Sequence, residues 1–407
     1  MDRYNIPLFE AMELALNEVS VLGAETIPPA DSLGRVLAAD VAAAHDVPHF
    51  DRSPFDGYAF RAGDTRDASK SAPVTLRVVG ELRAGDSSDI TVSFGQAVKI
   101  LTGAQIPSGA DAVTKYEETD YTDASVTIFE PFTPDSNIAH AGEDIKSGQT
   151  VAGRGSVIEP PLIGIFAALG IKSVDVTRRP TVAICSLGSE LIEAEEPLLP
   201  GKIRNSNLHT FSSYLKADGL APLEFGIMPD DVGRIADVIK QGVSLADVFI
   251  TTGGVSVGDY DFVRTALKSA GAEILFWKMD IKPGASILVS KVDGKLVLSL
   301  SGNPAAAAIG YKLIGVPCLR KMMGYINPGP ALFKLKLLDP VKKPSPRMRV
   351  LPGALKIVDG EARFKQHGVK GNGVLSSMIG CDLLGVIPAG SPPLAAGDTI
   401  EAFIYQD

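Results

Sequence analysis

Cysteine is the scarcest chemistry in this sequence. Cys185, Cys318 and Cys381 are far apart and form no C-x-x-C pair, which excludes a cysteine-built zinc site and a disulfide framework. Positive charge is short as well. The 39 Lys and Arg against 48 Asp and Glu leave a formal charge of −9, so a sequence-independent grip on nucleic acid is not expected. Long apolar runs are missing: "PPLIGIFAALGI" falls short of the roughly 20 residues that span a bilayer, so direct membrane insertion is not expected either. The stretch "MDRYNIPLFEAMEL" carries acids among its apolar residues and does not read as a secretory signal, which predicts a soluble, cytoplasmic protein. What is present is ordinary for a folded chain, with 45% apolar and 21% charged residues. The 407 residues exceed one comfortable core and suggest about two to four domains.

The pattern changes four times along the chain. Phe9, Met12, Leu16 and Val19 fall on one face at helical spacing and predict an opening helix. From Val47 the text is rich in Pro, Asp and Gly, then breaks into short strand-like segments such as "VTLRVVGELRAGD", predicting a β-rich module over residues 46–145. "PPLIGIFAALGIKSV" turns helical again and is expected to pack beside the first helix. Residues 1–45 and 146–179 would then form a helical stalk into which the β module is inserted. From Arg179-Pro180 strands and helices alternate, as in "TVAICSLGSEL", "NSNLHTFSSYLKADG" and "LADVFITTGG". That rhythm predicts an α/β layer with a mainly parallel sheet over residues 180–326. Short strands return after it and predict a small all-β domain over 327–407.

Ligands of open α/β sheets collect beyond the carboxyl ends of the strands. Three predicted strand ends carry unusual polar text: "SLGSE" (186–190), "TTGGVSVGDYD" (251–261) and "SLSGNP" (299–304). A fourth, "WKMDIKPG" (277–284), holds Lys278 and Lys282 four residues apart. Glycine amides, hydroxyls and two lysines suit an anion. Glu190, Asp259 and Asp261 remain as oxygen ligands, and a phosphate with bound Mg2+ needs both kinds of group. Plainer readings stay open for each piece. Gly253 and Gly254 can make a tight turn, the acids can sit near a helix start, and Asn303-Pro304 can be a helix cap with a first-turn proline.

Taken together, "FDRSPFDGYAFRAGD" (50–64), "ILTGAQIPSGADAV" (100–113), "GEDIKSG" (142–148), "TTGGVSVGDYDFV" (251–263), "FWKMDIKPG" (276–284), "SGNPAAA" (301–307) and "GVLSSM" (373–378) resemble the MoeA–gephyrin family of molybdopterin molybdenumtransferases. The resemblance covers nearly the whole chain. It implies an elongated homodimer with the active site across the dimer, a MogA-like α/β domain, an inserted β module on a stalk and a C-terminal β-barrel. The implied substrates are molybdate and adenylylated molybdopterin, with Mg2+ serving the diphosphate and AMP released. Asp261 matches the family's metal-binding aspartate, with Glu190 and Asp259 beside it as further metal ligands, and Asp230 matches the first acid of the "PDD" segment. Lys278 and Lys282 match the lysines facing phosphate or molybdate. Asp56, Thr102 and Asp144 match the acids and threonine of "DGYA", "TGA" and "GED". Gly253, Gly254, Ser256 and Gly258, with Ser301, Gly302, Asn303 and Pro304, match the substrate-holding loops. Arg347, Ser376 and Ser377 match the molybdate-side residues of the C-terminal domain.

Several positions depart from the family's usual text: Phe55 before "DGYA", Ala139 ahead of "GED", Ser189 in "GSE", Ala285 in "KPGAS" and Ser301 in "LSGNP". These departures keep a second expectation in view, a gephyrin-like scaffold with weakened catalysis that binds a protein partner or a receptor peptide.

Overall fold

The computed structural model describes residues 3–87, 89–255, 262–368 and 374–405. Its central layer is a seven-stranded sheet in the order Arg3–Ile6, Glu273–Met279, Ile287–Val292, Lys295–Leu300, Val248–Thr252, Val182–Leu187, Pro222–Met228. Only Ile287–Val292 runs against the others, so the sheet is mainly parallel, as the alternating sequence predicts. The inner strands are apolar on both faces because both faces are covered. On one side Ile184, Ile250 and Leu298 pack with Leu208, Phe211 and Ile309; on the other Ala183, Phe249 and Val297 pack with Ile235, Ile239 and Leu267.

The helices carry legible start and stop signals. Helix α3 (Ser206–Ala217) begins at Asn205, whose side-chain oxygen accepts from the Leu208 amide, and it stops before Gly219 at φ 74°. Helix α4 (Val232–Leu245) begins at Asp231, which accepts from the Arg234 amide at 2.8 Å. Helix α5 (Phe262–Ser269) buries Val263, Ala266 and Leu267 on its sheet-facing side. Helix α6 (Pro304–Gly310) follows Asn303, passes through a π-helical turn at Tyr311–Gly315, and continues into α7 (Val316–Met322).

The inserted module holds a six-stranded sheet, running Ala112–Lys115, Gly57–Phe60, Gln96–Ile100, Val74–Leu82, Ser125–Ile128, Thr119–Tyr121, with apolar side chains buried on both faces. At the other end of the chain, strands Leu332–Leu337, Met348–Val358, Glu361–Gln366, Leu383–Ile387 and Thr399–Ile404 close into a five-stranded barrel, since Met348–Val358 also pairs with Leu383–Ile387. The two-residue strand Ile281–Lys282 leaves the α/β layer and pairs with Met348 and Arg349 of the barrel. Val350, Met378, Leu384 and Phe403 share a core with α6 and α7, so barrel and α/β layer are packed as one body.

Two expectations fail here. Helix α1 (Leu8–Asn17) does not pack beside α2 (Pro160–Ala168). The preceding strand Arg3–Ile6 pairs with Glu273–Met279, and α1 therefore lies on α7 with Leu8, Ala11 and Ala15 buried in the α/β core. The stalk is also less helical than expected. Ala24–Ile27 pairs with Val174–Thr177, and Val41–Ala42 with Thr150–Ala152, as antiparallel pairs packed around the single helix α2. Among the described residues no helix is long and apolar enough to cross a membrane.

Candidate functional site

Strands Val182–Leu187, Val248–Thr252 and Lys295–Leu300 are direct neighbours in the sheet, so three of the four polar loops singled out in the sequence emerge side by side. Between them and the start of α3 lies a cavity of about 400 Å3, lined by Glu190, Asn205, Asn207, Gly253, Gly254 and Asn303 among others. Gly302 and Pro304 line it too, with Ser186 and Thr252 in its floor joined by a buried hydroxyl–hydroxyl bond of 2.9 Å.

Glycine is required at the turn that opens this cavity. Gly253 has φ 92°, and a Cβ there would stand 2.2 Å from the Leu187 carbonyl oxygen. Gly254 has φ 70°, and its Cβ would stand 2.5 Å from Val263 Cγ2 on α5. Close approach to the neighbouring strand end at Gly253 and to α5 at Gly254 therefore sets the residue type at both positions. Ser256, Gly258, Asp259 and Asp261, predicted as the continuation of this loop, lie outside the described residues.

Around the cavity the loops are braced against each other. The Ser189 amide donates to Asp230 Oδ2 at 2.9 Å, and the Asp230 amide donates back to Ser189 Oγ at 3.0 Å. Asp230 thus acts as a clamp on the loop that carries Glu190. Ser301 is buried, with Oγ accepting from the Asn303 amide at 3.1 Å. Gly302 O accepts from Asn207 Nδ2 at 3.0 Å, tying α3 to the loop before α6.

Two residues the motif reading passed over stand out. Asn205 uses Oδ1 to cap α3 and Asn207 uses Nδ2 on Gly302, which leaves Asn205 Nδ2 and Asn207 Oδ1 buried without a partner. Both residues line the cavity, and unpaired buried polar atoms are costly unless a ligand uses them. The signal in the sequence was "RNSN", asparagines set directly before an apolar-periodic helix.

The lysine pair separates. Lys282 lines a second cavity of about 580 Å3, between α/β layer and barrel, together with Lys343, Arg347 and Arg349. Arg347 Nε lies 3.6 Å from Asp280, and Arg349 makes a long backbone contact of 3.4 Å to Lys343 O. Lys278 lines neither cavity. It is 6% exposed, has φ 72°, and turns its ammonium to the Tyr4 hydroxyl. Lys278 stays at the end of strand Glu273–Met279, while Ile281–Lys282 leaves that layer to pair with the barrel, so the two lysines line no common cavity among those described.

The remaining predicted residues are placed as follows. Thr102 donates to Asp56 Oδ1 through both its hydroxyl and its amide, each at 2.7 Å, and these two bonds hold the Asp56 carboxyl below the usual carboxylate range. Asp144 is exposed near the base of the inserted module. None of Asp56, Thr102 and Asp144 lines the glycine-edged cavity of its own chain. Ser376 is exposed, whereas Ser377 is buried and donates its hydroxyl to Val374 O at 2.6 Å, so its proton is already committed. No group of three or more His, Cys, Asp or Glu with metal-site geometry occurs among the described residues.

The unusual positions are accommodated locally. Ala139 and Arg52 exchange two backbone hydrogen bonds of 2.9 Å, Lys115 stands 4.5 Å over the Phe55 ring, and Ala285 O accepts from the Met279 and Ile287 amides.

Comparison with known proteins agrees with this architecture end to end. Residues 6–170 match the "MoeA N-terminal region (domain I and II)", residues 183–321 the "Probable molybdopterin binding domain", and residues 334–405 the "MoeA C-terminal region (domain IV)". A Staphylococcus aureus (strain COL) protein named molybdopterin molybdenumtransferase is 35% identical over 404 residues, covering 99% of this chain and 96% of its own. A Staphylococcus epidermidis protein of the same name is 36% identical over 376 residues, covering 92% and 90%. A crystal structure of the molybdopterin biosynthesis MoeA protein from Pyrococcus horikoshii OT3 aligns with a TM-score of 0.85 at 31% identity, covering 98% of this chain and all of that one. With motifs, sheet order and barrel in agreement from one end to the other, the chain belongs to the MoeA family of molybdopterin molybdenumtransferases.

Proposed function

We propose that this protein transfers molybdenum from molybdate to adenylylated molybdopterin in a Mg2+-dependent reaction that releases AMP. The observation that carries the reading is the glycine-edged cavity, bounded by a turn whose packing restricts residues 253 and 254 to glycine and lined by asparagine atoms without partners. In this reading the cavity takes the pterin phosphate end. The second cavity, with Lys282 and Arg347, receives molybdate, a doubly charged oxyanion suited to such donors. Negative charge grows on the departing phosphate as the anhydride opens, and fixed positive groups stabilise it.

The donor types around the first cavity fit Mg2+. Glu190 offers a carboxylate and Asn207 Oδ1 an unspent oxygen, while neither thiol nor imidazole lines the space. Asp259 and Asp261 are proposed as the further ligands on the strength of the sequence motif. Bound there, Mg2+ would neutralise diphosphate charge. Asp56, Thr102 and Asp144 belong in this reading to the neighbouring subunit's site in a homodimer. The scaffold alternative rested on the departures from the family pattern. Ser189, Ser301 and Ala139 are each engaged in well-formed hydrogen bonds, which favours a working site over a damaged one.

The test is turnover of adenylylated molybdopterin with molybdate and Mg2+, followed as AMP release. Release no faster than with heat-killed protein would end this reading. Asp261→Ala should abolish release while leaving thermal unfolding unchanged.

A further inference from the structure

Helix α3 starts in the wall of the glycine-edged cavity. Arg204, Asn205, Ser206 and Asn207, the residues around that start, all line the space. Ser206 and Asn207 stand ahead of the intrahelical ladder, so their amides have no acceptor within the helix. The twelve residues of Ser206–Ala217 align their peptide dipoles so that this end favours negative charge. Asn205 adds an observation of a different kind. It is 3% exposed, its Oδ1 accepts from the Leu208 amide at 3.3 Å, and its Nδ2 is buried without a partner among the described residues. An amide donor left unspent beside a helix N-terminus, on the wall of a cavity, marks the place of an acceptor.

Arg204 brings a cation to the same spot. Strand Ile203–Arg204 runs parallel to Leu191–Ile192 with Arg204 opposite Ile192, and the Asn205 amide donates to Ile192 O at 2.9 Å. Main-chain pairing therefore fixes the point from which the Arg204 side chain leaves. Its Nε donates to Ala194 O at 3.0 Å. That bond orients the planar guanidinium and leaves the edge formed by Nη1 and Nη2 for another acceptor. Such an edge matches two oxygens of one phosphate.

We propose that the Arg204 fork, Asn205 Nδ2 and the first-turn amides of α3 form a single phosphate clamp in the wall of this cavity. The ligand class is a phosphate ester or anhydride that presents two free oxygens to the guanidinium. Glu190 and Asn207 Oδ1, which can only accept, take no part in holding it. Identifying the phosphate with that of the adenylylated pterin rests on the proposed function. Phosphate binding at this helix start does not.

The intact protein is titrated by calorimetry with AMP, pyrophosphate and adenosine. AMP should bind about tenfold more tightly than adenosine, and that difference isolates the phosphate. Arg204→Gln and Arg204→Lys should each lower the affinity for AMP and pyrophosphate about tenfold with thermal unfolding unchanged, because lysine keeps the charge and loses the fork. Asn205→Ser retains a helix-capping oxygen and removes Nδ2. It should weaken AMP binding severalfold, and it carries the test should the arginine variants fail to fold. The cavity around Lys282 offers anions a second place, so each titration is repeated in Lys282→Ala, where the part that depends on Arg204 should persist. The clamp is overturned by AMP binding no tighter than adenosine, by unchanged affinity in Arg204→Gln, by full affinity in Arg204→Lys, or by an Arg204 effect that vanishes in Lys282→Ala. Turnover in Arg204→Gln with an unaltered KM for adenylylated molybdopterin would remove the clamp and leave the transferase standing. AMP binding that depends on Arg204, without turnover, would do the reverse.

Discussion

The two cavities are lined by contrasting chemistry. In the glycine-edged one the unspent buried atoms are neutral, Asn205 Nδ2 and Asn207 Oδ1, and the charged side chains of the lining, Glu190 and Arg204, are one of each sign. In the one between barrel and α/β layer they are charges, with Lys282, Lys343, Arg347 and Arg349 around open space and Arg347 64% exposed at its side chain. Buried neutral donors and acceptors discriminate shape and hydrogen-bond pattern, because a wrong ligand leaves them unpaired. Exposed charges attract anions of any shape from a distance and lose their hold as salt rises. In the proposed reading the molecule thus separates recognition from capture.

The largest way to break that division is to force apart the turn that edges the first cavity. Gly253→Ala places a Cβ 2.2 Å from the Leu187 oxygen at a φ of 92°, a conflict between main chains that no side-chain rotation relieves. It should cost about 3 kcal/mol or more in urea unfolding and abolish AMP release, because the ends of the neighbouring strands Val182–Leu187 and Val248–Thr252 must part. Unchanged stability would mean that the turn can relax and that the glycines are not dictated by packing.

A smaller, conditional effect is expected from the charged cavity. Lys282→Ala should raise the KM for molybdate about tenfold at low ionic strength, with the difference shrinking as salt approaches about 1 M, where the Debye length is near 3 Å. Asn207→Leu should show a KM defect that salt does not change. Identical salt profiles for the two variants would erase the distinction between the cavities.

Stability in acid tests the footing of the central strand. Arg178 makes two bonds of 2.8 Å to Asp247, and the Thr181 amide adds one of 2.9 Å, just before strand Val248–Thr252. Hydrogen bonding to Arg178 holds the Asp247 carboxyl below its ordinary value against the opposing effect of burial. A depressed folded pKa gives stability that is complete above the unfolded value, near 4, and drains away as pH falls through the lower folded value. Asp247→Asn should therefore lower stability at neutral pH by about 1–2 kcal/mol and lessen the further loss between about pH 5 and pH 2. Denaturant unfolding at a series of pH values reads both effects; parallel curves for the two proteins would assign the acid sensitivity elsewhere.

How much of this was readable beforehand depended on how local each signal is. The three adjacent loops followed from strands ending in glycine and hydroxyl residues, a pattern written within a dozen residues of "TTGG" or "SLSGNP". The position of α1 was not readable, because it depends on Arg3–Ile6 pairing with a strand some 270 positions later, and long-range pairing leaves no mark on local periodicity. Lys278 and Lys282 read as one pair by spacing. The positive φ at Lys278 and the departure of Ile281–Lys282 to the barrel send them to different places. Asn205 and Asn207 were hidden by their helix, whose apolar stripe of Leu208, Phe211 and Leu215 explained the segment without them.

The smallest predicted effect asks whether an unpaired buried atom marks a site. Thr251 Oγ1 and Ser299 Oγ are buried without partners, as are the free atoms of Asn205 and Asn207, and Thr251 and Ser299 lie opposite each other on paired strands. Alternation along those strands sets them with Phe249 and Val297, toward the α4 and α5 side, and neither lines the glycine-edged cavity. No ligand reaches them there, so their hydroxyls are a plain desolvation cost. Thr251→Val, equal in shape, should raise stability by about 0.5–1 kcal/mol and leave AMP release unchanged. Asn207→Leu should also be tolerated by the fold yet weaken substrate binding, since its unpaired oxygen faces the cavity. A loss of turnover in Thr251→Val matching that in Asn207→Leu would show that unsatisfied atoms here report strain in the sheet rather than a place reserved for substrate.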